Sequence, residues 1–337
     1  MASIKDVAVK ANVSVKTVSR ILSGYQGVSA KTKDNVLRAM EELEYYPSAA
    51  AQALRGQEKG IVSVITEKLT TTPDAFEIIA GIQAECEKQG KLLMIGESGG
   101  KPASFAKLVD DFRRHRSQAI IYATLYHREV KIEQSFNHCP LILVNCFEKT
   151  LRHPTIVPDD SQGLYDATKS LLQAGHRRIA YLTLFEEMRA TQLRKRGFEK
   201  AMLEADVPVD PNLIIEGVCT VSDDEFSKLP DVLRNIMALQ DRPTAILCGN
   251  DKMAMRIYML IRRMGYKIPE TISIVGYDNY KLIAENLLPR LTTVSLPYFR
   301  MGELAAKLAI DKIIEPREEI VCGDLIMRDS LSAPYKA

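Results

Sequence analysis

The chain has 337 residues, 46% of them apolar and 26% charged, which is enough for two or three cored domains and unlike a disordered or fibrous composition. Its opening, MASIKDVAVKA, sets Lys5 and Asp6 where a leader peptide is apolar, and no run approaches a membrane span, so a cytoplasmic protein without membrane contact is expected. Charge is informative once divided: residues 1–60 hold nine Lys/Arg against six Asp/Glu, and the remainder 36 against 37, so only the first segment carries a cationic surplus.

Helical periodicity begins at once. Ser3, with Asp6 three residues on, forms a capping-box-like start, and Ile4, Val7, Ala8 and Ala11 make one apolar face. Asn12 suits a left-handed turn position. Ser14 then caps a second helix, VKTVSRILSG, with Val18, Ile21 and Leu22 inward and Gly24 at its end. Ser29 opens a third helix to about Tyr45, with Val36, Leu37, Met40 and Leu43 inward. Two short helices joined by a tight turn make a helix-turn-helix, and the third completes its core. In that geometry the start of the second helix enters the major groove. Lys16 and Arg20 can donate to guanine O6 and N7, Val15 can pack on a thymine methyl, and Ser14, Thr17 and Ser19 suit phosphates. The alternative is a plain three-helix bundle with solvated polar residues.

Next, YYPSAAAQALRG places a proline, then Ser48 as a cap, then a short alanine-rich helix stopped by Gly56. So short a helix does not hold in water unaided, and the segment reads as one that forms conditionally, with Leu54 joined to no local core. Taken together, residues 1–60 resemble the DNA-binding end of the lactose-repressor (LacI/GalR) family, through IKDVAVKANVSVKTVSRILSG and VSAKTKDNVLRAMEELEYYPSAAAQALR. The resemblance implies that Val15, Lys16 and Arg20 read a half-site, and that Ser14, Thr17, Ser19 and Ser29 also face DNA. It implies further that Leu54 is a minor-groove wedge on a hinge helix formed by a dimer on a pseudo-palindromic operator. Ser48 and Gln52 stand where many members have Asn and Arg.

From Gly60 onward GIVSVIT, KLLMIG, QAIIYA, LILVN, RIAYLTL, TAILCG and ISIVGYD read as parallel strands buried on both faces. Helical stretches at 75–89, 103–115, 161–174, 194–204, 224–239 and 250–264 separate most of them, the rhythm of doubly wound sheets. So many strands call for two lobes, with VPDDSQG at 157–163 as a crossing between them. The six cysteines show no CxxC spacing and the five histidines no HExxH or HxH arrangement, so reduced thiols are expected, and neither a metal site nor a cofactor. GHRRIAYL, RKRGFEKAM, TAILCGNDKMAM, IPETISIVGYDN and MGELAAKLAI extend the family resemblance, which implies a periplasmic-binding-protein-like body. The expected fold class is α/β: an N-terminal all-α helix-turn-helix domain (1–46), a hinge helix and linker (47–59), and a two-lobed doubly wound effector and dimerisation domain (60–337). The first lobe is set at about 60–160 plus 292–320, and the second at about 161–291 plus 321–337.

Ligands in such folds sit beyond the carboxyl ends of the strands, between the lobes. The resemblance makes Arg194 and Asp278 effector-binding, and Asn145 and Asn250 stand at strand ends beside them. Arginine, carboxylate and amide groups suit vicinal hydroxyls or a carboxylate; the local alternatives are a helix cap at Asn250 and an ion pair at Arg194. IIEGVCT offers Cys219 where many sugar-binding members have an aromatic, and the chain has no Trp, so Phe76 is the expected aromatic wall. The effector is expected to be a sugar or sugar derivative, with a nucleobase or nucleoside as the alternative. GESGG at 96–100 matches the nucleophile-elbow pattern around Ser98, but Gly99, Gly100 and Pro102 delay the helix that an elbow needs, so an enzyme is not expected. No leucine heptads follow the final strand-like run, which makes a homodimer the expected assembly.

Overall fold

The computed structural model describes residues 2–23, 25–46, 60–69, 73–137, 139–219 and 224–335. Gly24 and the expected hinge with Ser48, Gln52 and Leu54 lie outside them. The chain divides into two units, 1–60 and 61–337.

Among its described residues the first unit holds three helices: α1 (Ile4–Lys10), α2 (Val15–Leu22) and α3 (Ala30–Glu42). Each start is fixed by a side chain. Ser3 and Asp6 form a reciprocal capping box, Ser14 accepts from Thr17 N, and Ser29 accepts from Thr32 N. Asn12, at φ 52°, makes the left-handed turn between α1 and α2. Val7, Ala8, Val18, Ile21, Val36 and Ala39 form the core. Leu37, expected inward, is instead 46% exposed. The buried stripe of α3 runs through Val36 and Ala39, and Leu37 stands about a hundred degrees round the helix from Val36.

The second unit is two six-stranded sheets. The first has the order β11-β5-β4-β3-β1-β2, all parallel, and the second β12-β10-β9-β8-β6-β7, parallel except for β12. The first holds β1 (Ile61–Thr66), β2 (Leu92–Glu97), β3 (Ser117–Glu129), β4 (Leu141–Phe147), β5 (Thr155–Pro158) and β11 (Glu318–Val321). The second holds β6 (Ile179–Thr183), β7 (Ile214–Glu216), β8 (Ala245–Cys248), β9 (Ser273–Asp278), β10 (Thr292–Ser295) and β12 (Asp324–Ile326). The strand period of two divides each sheet's side chains between two cores. On β4, Ile142 and Val144 join one, while Leu141 and Leu143 join the other. Helices α4 (Pro73–Lys88) and α11 (Tyr298–Asp311) cover one face of the first sheet, and α5 (Pro102–Arg114) the other. In the second lobe α6 (Asp160–Gln173) and α7 (Arg189–Glu204) cover one face, and α8 (Leu229–Met237) and α9 (Asp251–Arg263) the other. The short α10 (Lys281–Ala284) lies between β9 and β10.

The chain passes between lobes three times, after β5, after β10 and after β11. The second passage differs from expectation. Thr292–Ser295 pairs in parallel with Val275–Asp278, so the second lobe runs through Ser295 rather than ending at 291. The strand β11 reaches Val321, one residue past the limit of 320 set from sequence.

Candidate functional site

Two places in the chain carry chemistry beyond packing. On α2 the burial of Val18 and Ile21 leaves Val15, Lys16 and Arg20 exposed, with Thr17 and Ser19 half-buried. Ser14 Oγ lies 2.9 Å from Thr17 Oγ1 and accepts from Thr17 N at 3.1 Å, so both hydroxyls are held at the helix start. The Arg20 guanidinium lies over the Tyr25 ring, 5.2 Å from its centroid, which directs a flexible cation before any ligand arrives. Ser29, exposed, serves as the cap of α3.

The second place is a cavity of about 290 Å³ at the carboxyl ends of both sheets. Four of the five residues expected there line it: Asn145, Arg194, Asn250 and Asp278. Phe76, 54% exposed, is not among the lining residues. Nor is Cys219; its neighbour Val218 is, and the apolar wall comes from Leu184, Phe185, Met188 and Tyr298.

The position of Asn145 follows from a break in sheet register. Ala123 pairs with Val144, and the next pair is Arg128 with Cys146, so residues 124–127 of β3 bulge opposite Asn145 alone. That excursion sends Leu125, Tyr126 and His127 to the cavity. Asn145 adopts φ 59°, donates from Nδ2 to Thr124 O at 3.1 Å, and through its own carbonyl accepts from Thr124 Oγ1 at 2.8 Å. Its Oδ1 is buried and accepts from no protein group among the described residues. An acceptor left so costs about 1–3 kcal/mol, which any donor brought into the cavity would recover. Asp278 at φ 114° ends β9 in a similarly rare conformation.

Arg194, 5% exposed, donates from Nε to Asp160 Oδ1 at 2.8 Å and from Nη1 to Gly249 O at 2.8 Å. Its guanidinium stacks 3.7 Å from the Tyr277 ring centroid. Asp160 is fully buried, and its Oδ2 lies 2.8 Å from His127 Nδ1. Burial works against both charges. Arg194 and His127 nevertheless hold the Asp160 carboxyl below its ordinary value, and Asp160 holds the Arg194 guanidinium above its own. A residue of the first lobe, His127, is thereby joined through Asp160 to one of the second, Arg194. Sequence reading placed Asp160 only in a crossing. The signal for more was the doubled acid of VPDDSQG, since Asp159 alone caps α6, through Gln162 N, and Asp160 has no local task.

Asn250 holds both readings at once. Its Oδ1 accepts from Met253 N at 2.8 Å as the cap of α9, while the residue lines the cavity and keeps its amide N–H groups for other partners. Behind it, burial pushes the Asp251 carboxyl up to about 7 against hydrogen bonds from Thr293 Oγ1 and Tyr280 N. Ser98 is no nucleophile. Its hydroxyl donates to Thr66 O at 3.0 Å and accepts from Gly100 N, and α5 begins only at Pro102. Among the described residues no cluster of His, Cys, Asp and Glu is set to hold a metal, and no helix is long and apolar enough to cross a membrane.

Comparison with known proteins bears on both places. Residues 3–48 match the model of bacterial regulatory proteins of the lacI family, and residues 168–331 that of the periplasmic binding protein-like domain. The HTH-type transcriptional repressor PurR of Vibrio parahaemolyticus is 31% identical over 95% of this chain and 94% of its own length. The sucrose operon repressor of Escherichia coli is 32% identical over 94% of this chain and 95% of its own. Among solved structures, a putative transcriptional regulator of the lacI family from Rhizobium etli is 32% identical with a TM-score of 0.75, covering 81% of this chain and 99% of that one. The lac repressor dimer bound to operator matches in fold, with a TM-score of 0.80 at 23% identity over 98% of this chain and 99% of that one.

Proposed function

The chain belongs to the lacI family of bacterial regulatory proteins, and on that premise we propose that it is a cytoplasmic, sequence-specific DNA-binding repressor controlled by a small molecule held between its two lobes. It is not an enzyme. The partner of the helix-turn-helix is a double-stranded, pseudo-palindromic operator, bound by a homodimer so that two copies of α2 meet two half-sites. Lys16 and Arg20 read bases, Val15 packs on a thymine methyl, and Ser14, Thr17, Ser19 and Ser29 steady the helix on phosphates. Leu54, outside the described residues, keeps the wedge role that the family resemblance gives it. Sedimentation at micromolar protein should return a dimer, and a stable tetramer rejects that assembly.

The observation that carries the effector reading is the convergence of Asn145, Arg194, Asn250 and Asp278 on one cavity. Its volume lies at the small end for ligand pockets, which run from about 300 Å³, and suits a monosaccharide-sized ligand. Sugar operons also give relatives their names, sucrose in one case and ribose in another. The effector is therefore assigned as a sugar or sugar derivative. Arg194→Ala and Asp278→Ala are expected to abolish the effector's influence on operator binding while leaving that binding measurable by fluorescence anisotropy. A normal response in either variant removes the cavity from the mechanism.

A further inference from the structure

We infer that Asp160 sets the charge selectivity of the effector cavity, neutralising Arg194 from inside so that the site takes an uncharged, hydroxyl-rich ligand rather than a sugar acid or sugar phosphate. The inference rests on reading the cavity as the effector site and adds the charge of its occupant.

The charges are matched before any ligand arrives. Arg194 and Asp160 are both almost wholly enclosed, and their 2.8 Å contact lies where little water screens it. Arg128, on the same wall, is paired with Glu67 behind it. Lys252 adds a third cation to the lining, but Glu225 and Asp278 add two carboxylates. Among the described residues, three cations thus face four carboxylates. An anionic group reaching for Arg194 meets the field of Asp160 directly behind Nε, and it has to displace attraction already spent within the protein.

The hydrogen-bonding capacity turned to the cavity leads to the same class. Asn145 Oδ1 is an enclosed acceptor with no protein donor among the described residues. Asp278 and Glu225 bring only acceptors when ionised. Donors come from the Asn250 amide, whose oxygen is committed to Met253 N, from the Arg194 N–H groups not held by Asp160 and Gly249, and from the Lys252 ammonium. A polyol supplies hydroxyls that donate to the first set and accept from the second, whereas a carboxylate or phosphate supplies acceptors alone.

Calorimetric titration of the full-length protein with D-glucose, D-fructose and D-ribose, each beside its monophosphate, and with D-gluconate beside glucose, tests this. Wild type is expected to bind a neutral member about tenfold or more above its charged counterpart. Asp160→Asn keeps the shape and an acceptor for Arg194 while removing the charge, and should shift that ratio toward the anion by about tenfold. A loss of structure alone weakens both members together and leaves the ratio where it was. Preference of wild type for a charged member overturns the inference, as does an unchanged ratio in folded Asp160→Asn. If that variant does not fold, the wild-type ratio decides. Should no member of either set bind, the sugar reading itself falls and the inference with it. Arg194→Ala must lose the neutral ligand, since binding that survives it lies elsewhere and overturns the assignment.

Discussion

Arg20, proposed to read bases, shows how little of such a residue is set by its own helix. The second turn of α2 brings it to the surface, but its direction comes from Tyr25, beyond the end of the helix. Arg20→Ala is expected to cost about 1–3 kcal/mol of operator affinity and to relax preference at one symmetric base pair. Uniform weakening over all operator variants in a competition assay assigns Arg20 to phosphate instead. Asp251 gives a second test at this scale, in pH. Its carboxyl titrates at about 7 in the folded chain, against 3.8 in an ordinary setting. Between those values the folded state keeps a proton that the unfolded chain has released. The stability from this group is therefore full below the lower value and is lost as pH rises through the upper one. Asp251→Asn cannot titrate, so it should lessen the fall in Tm expected of wild type between about pH 4 and 7. An identical slope in the two proteins, read by differential scanning calorimetry, removes Asp251 as its source.

Between elements, the tightest approaches are backbone against backbone. A Cβ on Gly302 of α11 would lie 2.1 Å from Ile78 O on α4, and one on Gly81 of α4 would lie 2.0 Å from Phe299 O. The second lobe repeats the device, since a Cβ on Gly197 of α7 would lie 2.0 Å from Ser161 O on α6. Gly302→Ala must push apart a pair of helices that share a core, and is expected to cost about 1–3 kcal/mol in denaturant unfolding. A change within error shows that α4 and α11 can slide apart freely. Gly197 and Gly302 stand in readable stretches, RKRGFEKAM and MGELAAKLAI, yet their reason is a partner helix that a single sequence does not display. The same limit sorts the strands. Runs such as LILVN and ISIVGYD are legible because burial on both faces leaves them almost wholly apolar. Three- and four-residue strands such as β7, β11 and β12 carry too few residues, and almost no buried ones, to show a period. At the site, Arg194, Asn145, Asn250 and Asp278 were legible through family motifs and strand ends. His127 was not, because it arrives through a register break that no glycine announces.

At the scale of the whole molecule, neither lobe is a continuous stretch of chain. The second lobe needs residues 160–295 and then only β12 and its following turn, where Ser330 bonds to Ile274. The first lobe needs residues 61–158 and then, after more than a hundred residues spent elsewhere, α11 and β11. Tyr298, Met301, Ala305, Ala306, Leu308 and Val321 belong to its core, so the first-made half of the body holds an open apolar face until nearly all of the chain has been added. This sets an order of events during synthesis. The lobe begun first waits longest for its missing pieces, and its uncovered face and unpaired β5 edge are exposed to aggregation for most of that time. A chain halted after residue 295 is therefore expected to protect 160–295 from brief proteolysis while 61–158 is cut. Equal protection of the two stretches shows that the early lobe closes without its late helix. Because Tyr298 of α11 lines the cavity, the cavity too has its full wall only once that late segment has been added.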